Sequence, residues 1–155
     1  MCDINEINVL VNNFRYAMDC AKANGEFSRL IPLYIFPNGC CDMACDLLAN
    51  YLADYGVETY VINGEYWDAI NGYSINHVWL VLSSGDIIDI TGDQFKNDSQ
   101  FFNYNKKVHI GKEERLHKLF VEKRSKEAYM DLDGISNIRR DTLNCAYRII
   151  SKYLK

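Results

Sequence analysis

The sequence has few prolines, no glycine-rich phosphate loop and no long apolar run, and each of these absences excludes a class of protein. With two prolines in 155 residues and no repeat or low-complexity tract, it offers no linker, so we expect one domain over residues 1–155. Without a glycine-rich loop, nucleotide chemistry has no support. No segment approaches the roughly 18 apolar residues of a membrane span, and the first residues lack a basic region followed by an apolar run. These features predict a soluble cytoplasmic protein with no membrane partner.

The charge of the chain argues against a nucleic-acid partner. Its 17 basic and 21 acidic residues give a formal net charge of −4, whereas phosphate binding depends on clustered lysine and arginine. The most basic segment, KVHIGKEERLHKLFVEKRSK, is mixed in sign, which is typical of a solvated surface. We predict a charged helix there from about Glu113 to Met130, and we interpret His109 and His117 as structural or solvent-facing.

The spacing of apolar residues predicts helices at both ends of the chain and a sheet between them. A stripe at three- and four-residue steps predicts a helix from Ile4 to Asn24-Gly25, and a second helix begins near Cys41 and ends at Gly56. The segments VETYVIN, HVWLVL and DIIDIT read as strands, the last two as a hairpin, and KKVHI is a further candidate. A final helix is predicted from about Ser136. The order of elements predicts an α+β fold. The residues expected to face inward are Ala44, Leu47, Leu48, Tyr51, Leu52 and Tyr55 in the second helix, and Ile138, Cys145, Ala146, Ile149, Ile150 and Tyr153 in the last.

Six cysteines are present, and in a reducing compartment they are expected to be free thiols. A thiol becomes a nucleophile when a helix N-terminus or a neighbouring imidazole stabilises its thiolate. Cys41 lies in the first turn of the second predicted helix, and His77 begins the strand HVWLVL. One hairpin turn later, Asp89 is placed to accept a hydrogen bond from the far nitrogen of His77. These three residues are therefore candidates for a nucleophile, its base and an orienting acid.

The motifs around the three candidates are GCCDMAC, HVW and DIT, in the order helix, strand, strand. In this order they resemble the transglutaminase-like branch of the papain-like cysteine hydrolases, over the segment from Gly39 to Thr91. The resemblance implies a papain/transglutaminase-like core, with the nucleophile Cys41 at the N-terminus of a helix that packs on a small antiparallel sheet. It implies His77 as general base and acid and Asp89 as the orienting residue. The GDQF that follows is similar to an Asp-x-Thr-x-Asp-Gln-Phe ending of small bacterial proteins.

The resemblance also implies a reaction class, an amide hydrolase or acyltransferase that works through a thioester. Protease, deamidase and transglutaminase-like activities all belong to this class, and the substrate is expected to be a protein or peptide. Similarity to the leader-cleaving proteases of lasso-peptide pathways favours peptide hydrolysis. Asn38 and Gln94 are candidates for the second oxyanion donor, and Trp79 is a candidate cleft residue. No cofactor is expected, since no carboxylates have calcium-loop spacing.

Three alternatives stay open at the level of sequence. Cys40 is the runner-up nucleophile, because Ala44 then takes the place of the small residue that follows the nucleophile in the family. A zinc site built from Cys40, Cys41, Cys45 and His77 is conceivable, although paired Cys-x2-Cys units are missing. A non-catalytic protein-binding module on the same fold is the second functional hypothesis, and it would tolerate replacement of Cys41. The oligomeric state is not indicated by any pattern.

Overall fold

A computed structural model describes residues 2–127 and 137–155 of the chain. This part forms four α-helices and one five-stranded antiparallel sheet, which is an α+β fold as predicted. No helix within it is long and apolar enough to cross a membrane. The helices are α1 (Ile4–Ala23), α2 (Cys41–Ala53), α3 (Arg115–Lys118) and α4 (Asn137–Ser151), and the strands are β1 (Tyr60–Asp68), β2 (Tyr73–Val81), β3 (Ile87–Asp89), β4 (His109–Gly111) and β5 (Val121–Glu127).

The first helix, α1, begins where its capping residues dictate. The Asp3 side chain accepts hydrogen bonds from the backbone amides of Asn5 and Glu6, and the Glu6 carboxylate accepts one from the Asp3 amide. This reciprocal arrangement satisfies amides that have no partner inside the helix. The apolar stripe of α1 then packs against α2, with the rings of Phe14 and Tyr51 5.1 Å apart.

The second helix, α2, begins at Cys41 as predicted and ends at Ala53, three residues before Gly56. Gly39 precedes it with a φ of +63°, a conformation that glycine adopts without strain. One inward residue of the prediction is wrong, because Tyr55 lies beyond the helix and is 49% exposed. The turn at Gly39 therefore fixes where the helix, and with it Cys41, begins.

The five strands lie in the order β4-β3-β2-β1-β5, and both faces of the sheet are covered. One face packs on α1, α2 and α4 through residues such as Val78 and Leu80. The opposite face carries a second apolar cluster, which we call the aromatic cluster. Its buried members are Ile62, Trp79, Ile87, Phe95, Phe101, Tyr104, Leu116 and Phe120.

Strand β1 continues past the Asn63 at which the sequence predicted its end. It pairs with β2 from Tyr60 to Asp68, and its register against β5 shifts between Asn63 and Gly64. Gly64 lies where any Cβ would be 2.6 Å from the Cβ of Phe120 and 3.0 Å from the Trp79 ring. The glycine therefore marks a close approach inside the sheet rather than a turn.

Two predictions for the C-terminal third of the chain are wrong. Instead of a charged helix from Glu113, the chain forms the single turn α3 and then strand β5, which pairs with β1. In α4, the predicted inward residues Ile138 and Cys145 are exposed, Ile138 at 82%. Ala146 and Ile150 are buried, and Ile149 and Tyr153 are partly buried against the core, as predicted. The prediction for this face is therefore wrong at Ile138 and Cys145, and it omitted the buried Leu143. The predicted helix end at Met130 and helix start at Ser136 lie outside the described residues.

Candidate active site

The thiol of Cys41 lies at the N-terminus of α2, near the imidazole of His77. The first amides of a helix have no acceptor inside it, and the helix dipole favours negative charge there. One turn later, the Cys45 thiol donates to the Val78 carbonyl of β2 at 3.5 Å. This contact fixes α2 against β2, and the Cys41 thiol lies near enough to the His77 side chain to raise the pKa of that imidazole. Cys41 is partly exposed.

The far side of the His77 ring is held by Asp89. The Nε2–H of His77 donates to Oδ2 of Asp89 at 2.7 Å, and both side chains are completely buried. Strands β2 and β3 pair so that Leu80 lies opposite Ile88. Continuing that register puts Asp89 on the same face as His77, as neighbours on a diagonal. Because Asp89 occupies Nε2, Nδ1 is the nitrogen left for Cys41.

A second imidazole, which the sequence did not assign to the site, bonds to the same carboxylate oxygen. The Nε2–H of His117 donates to Oδ2 of Asp89 at 2.9 Å, and the His117 side chain is also completely buried. The remaining Asp89 oxygen, Oδ1, accepts the amide of Thr91 at 2.9 Å. His117 was interpreted as structural or solvent-facing, and the solvent-facing alternative is therefore wrong. The apolar neighbours Leu116 and Phe120 were the one local signal of its burial.

The side chain of Gln94 lies on the Nδ1 side of His77. Its Nε2 donates to the Thr91 carbonyl at 3.0 Å, which fixes the orientation of the amide, and lies 3.2 Å from Nδ1 of His77. An amide nitrogen has two protons. The second proton therefore points to the place where His77 and Cys41 exchange a proton.

A buried ion pair anchors the segment that carries Gln94. Gly92–Phe95 forms a 3-10 turn, in which Asp93 accepts hydrogen bonds from Arg15 of α1 at 2.9 and 2.8 Å. Arg15 is 3% exposed and also donates to the Ile90 and Lys107 carbonyls, at 2.6 and 3.0 Å. Its guanidinium thus links α1 to the chain leaving β3. No role was predicted for Arg15 from the sequence.

The electrostatics of the His77–Asp89 pair favour a protonated imidazole and an ionised carboxylate. Burial alone would lower the pKa of His77, but the charge and hydrogen bond of Asp89, together with Cys41, outweigh it and raise that pKa to about 10. Burial alone would raise the pKa of Asp89, yet His77 and His117 hold it well below its usual range. The imidazole therefore stays protonated at neutral pH, beside a carboxylate that stays ionised.

This pair predicts how stability depends on pH. Asp89 raises the pKa of His77 above its ordinary 6.5, which stabilises the fold fully below pH 6.5, and this stabilisation is lost as pH rises towards the folded value. In a Cys41→Ala protein, where thiol ionisation adds nothing, we expect the free energy of unfolding to fall by roughly 1 kcal/mol between pH 6.5 and about 8. Urea denaturation across this range measures it.

The matched control for that titration is Cys41→Ala with His77→Gln, in which the glutamine keeps a donor for Asp89 and cannot titrate. The difference in unfolding free energy between the two proteins should narrow as pH rises. A difference that stays constant from pH 6.5 to 8 would contradict a raised His77 pKa.

The other cysteines of the motif are placed differently from Cys41. Cys40 is completely buried, and burial, with the charges of Cys41 and Asp42, raises the pKa of its thiol to about 12. Burial likewise raises the pKa of Cys45 well above its ordinary value. Both thiols therefore stay neutral at physiological pH, so the geometry favours Cys41 over the runner-up Cys40.

The zinc site considered as an alternative, from Cys40, Cys41, Cys45 and His77, does not form in the part of the chain that the structure describes. There, the three side chains whose donor atoms come close enough to surround an ion are His77, Asp89 and His117. Their N···O distances of 2.7 and 2.9 Å are those of direct hydrogen bonds. An ion would have to displace both of these bonds.

The two remaining candidates, Asn38 and Trp79, differ in burial. Asn38 is exposed in the turn before α2. Trp79 is 4% exposed and packs behind the site, with its ring centroid 5.5 Å from His77 and 5.1 Å from His117. Trp79 therefore supports the imidazoles within the aromatic cluster, and the expectation that it lines the cleft is wrong.

Three comparisons with known proteins were made for this chain. No protein-family model, no curated protein and no solved structure matches it.

Proposed function

We propose that this protein is a cysteine hydrolase or acyltransferase of the papain-like/transglutaminase-like type, acting on amide bonds in a protein or peptide. The observation that carries the proposal is the hydrogen bond from His77 to Asp89, with the Cys41 thiol near the same imidazole. A nucleophile, a base and an orienting group in hydrogen-bond contact are what this chemistry requires. Their order along helix α2 and strands β2 and β3 is also that of the family the motifs resemble.

In this mechanism the Cys41 thiolate attacks the carbonyl carbon of the amide. A C–S bond forms, the carbonyl electron pair moves to oxygen, and the intermediate collapses as His77 Nδ1 gives its proton to the departing amine. A thioester remains. His77, now neutral, takes a proton from water or from a second amine as that group attacks, and the C–S bond breaks to release thiolate. Water gives proteolysis or deamidation, and an amine gives acyl transfer.

Two donors are available for the oxyanion. One is the backbone amide of Cys41, which belongs to the unpaired amides at the start of α2. The other is the Gln94 amide, whose second proton bonds to Nδ1 of His77 only while that nitrogen is unprotonated. When Nδ1 holds the proton, the Gln94 donor is released towards the substrate oxygen. Because His77 is already protonated at neutral pH, this donor is in place before the oxyanion forms.

Selective alkylation tests the proposal without a known substrate. If His77 and the helix N-terminus stabilise a thiolate, iodoacetamide at pH 7 should label Cys41 roughly tenfold faster than any other cysteine. Peptide mapping after brief exposure measures this. His77→Ala should slow labelling of Cys41 by about the same factor, because the thiolate loses its partner. The exposed Cys145 serves as an internal control whose rate should not change.

The outcomes separate the competing functions. Uniformly slow labelling that is unchanged in His77→Ala would overturn the enzyme and favour a non-catalytic binding module. Protection of Cys40, Cys41 and Cys45 together, relieved by a chelator, would indicate zinc. Labelling of Cys40 ahead of Cys41 would move the nucleophile by one residue and leave the mechanism as described.

A further inference from the structure

We propose that His117 is a positioning residue of this site, holding the Asp89 carboxylate in the orientation that fixes the His77 ring. The inference rests on the proposed function and adds a fourth residue to it. His117 lies 28 positions beyond Asp89 in sequence, on the one-turn helix α3. It touches neither Cys41 nor the substrate side of His77 by any described contact, so its role runs through Asp89.

The hydrogen bonds of Asp89 carry the first step of the inference. Oδ2 accepts from both imidazoles, at 2.7 Å from His77 and 2.9 Å from His117, while Oδ1 accepts from the Thr91 amide at 2.9 Å. An ionised carboxylate only accepts hydrogen bonds. Nε2 of each ring must therefore carry a proton. In neutral His77 this leaves Nδ1 as the basic nitrogen, the one beside Cys41.

The surroundings of His117 carry the second step. Its Nδ1 is buried and has no hydrogen-bond partner among the described residues. Aromatic rings hold the imidazole instead: Trp79 meets it edge-on at 5.1 Å, and the His109 ring stacks on it at 5.6 Å. The only hydrogen bond described for this side chain is the one to Asp89. A buried polar group costs free energy unless it is bonded, so its one bond sets how the ring is placed.

The consequence for the reaction follows from the freedom of a carboxylate. If His117 did not donate to Asp89, the Thr91 amide alone would hold the carboxylate against rotation about its Cβ–Cγ bond. The carboxylate could then still rotate, and the His77 ring would move with Oδ2. The second donor removes that freedom, because Oδ2 must satisfy two imidazoles from different elements, β2 and α3. His117 thereby fixes the direction in which Nδ1 of His77 points. Preorganisation of this kind acts on the rate of the reaction more than on substrate binding.

The test uses the small number of histidines. The chain has three, so ¹⁵N-histidine labelling gives a spectrum in which each ring nitrogen can be assigned. We expect protons on Nε2 of both His77 and His117 in the wild type. His117→Leu should lose the defined His77 Nε2–H signal and slow Cys41 alkylation about tenfold, well short of the ~10⁴-fold cost of misplacing a triad imidazole. His117→Gln, which retains an amide donor for Asp89, should restore both.

Several results would overturn the inference. One is a wild-type His117 without a proton on Nε2; another is a folded His117→Leu protein with an unchanged His77 signal and unchanged alkylation. If His117→Leu does not fold, the His117 Nε2 resonance is measured in His77→Gln instead. Because both imidazoles bond to Oδ2 of Asp89, the substitution should shift that resonance. An unchanged resonance would refute the coupling. Failure of the proposed function looks different: there, alkylation of Cys41 does not depend on His77 in the first place.

Discussion

Replacing Gln94 with alanine should slow acylation of Cys41 by an activated ester about 100-fold, the cost of losing one oxyanion-hole donor. The reason is geometric. Gln94 Nε2 is fixed by the Thr91 carbonyl at 3.0 Å and reaches the Nδ1 side of His77 at 3.2 Å. The measurement is the burst of p-nitrophenolate released when the protein is mixed with p-nitrophenyl acetate.

The same variant should leave alkylation by iodoacetamide nearly unchanged. Alkylation replaces iodide at a saturated carbon and forms no oxyanion, so it reports the thiolate alone. The two probes thus separate the oxyanion donor from the orientation of His77. Gln100→Ala is the matched control, because the Gln100 side chain donates to the Tyr66 hydroxyl and has no described hydrogen bond to Cys41, His77 or Asp89. If Gln94→Ala slowed both reactions equally, Gln94 would be orienting His77 instead.

The elements of the site that the sequence predicted are those with local signals. The Pro37-Asn38-Gly39 turn marks the start of α2, and a positive φ at Gly39 needs glycine, so Cys41 could be placed at a helix N-terminus. His77 and Asp89 lie on strands joined by a short turn. Their proximity therefore follows from the period of two and the register of a single hairpin.

The parts that the sequence did not predict depend on contacts distant in the chain. The segment after Glu113 is rich in charge and was interpreted as a helix. In the structure, Val121–Glu127 forms β5 and pairs with the edge of β1, which lies about 60 residues earlier in the chain. Strand pairing between segments so far apart in sequence gives no local sequence signal, because it depends on which strand edge is available. His117 was missed for the same reason, because its partner Asp89 belongs to another hairpin.

Arg15 shows a signal that could have been used. It lies four residues after Val11 and three before Met18, so it falls on the apolar stripe of α1, where a charged residue is out of place. A charge at such a position is buried only if it is paired. The sequence alone could have indicated a buried acidic partner, although not that the partner was Asp93.

Arg15→Met should therefore lower the free energy of unfolding by roughly 3–5 kcal/mol, because Asp93 then stays buried without its charged partner. Asp93 is 6% exposed and would lose two hydrogen bonds from the guanidinium. The carbonyls of Ile90 and Lys107 would lose their donor as well. Urea denaturation measures the loss, and Arg148→Met, on the exposed side of α4, should stay within about 0.5 kcal/mol of the wild type.

A double substitution distinguishes the ion pair from simple packing. In Arg15→Met with Asp93→Leu no charge is left unpaired, so we expect the double variant to be more stable than Arg15→Met alone. If the two substitutions were additive, Arg15 and Asp93 would not be coupled, in spite of their bidentate geometry. Arg15→Lys should be intermediate, because lysine restores the charge without the planar fork.

The Arg15 variants also connect the stability of the fold with the proposed chemistry. Arg15 holds Asp93, and the next residue is Gln94, so a folded Arg15→Met protein should lose the fixed position of the Gln94 amide. Its ester acylation should fall towards that of Gln94→Ala, while iodoacetamide labelling of Cys41 should be retained, because the described hydrogen bonds of Arg15 go to residues other than His77 and Asp89. Equal loss of both reactions would mean that the ion pair supports the whole site rather than the oxyanion donor.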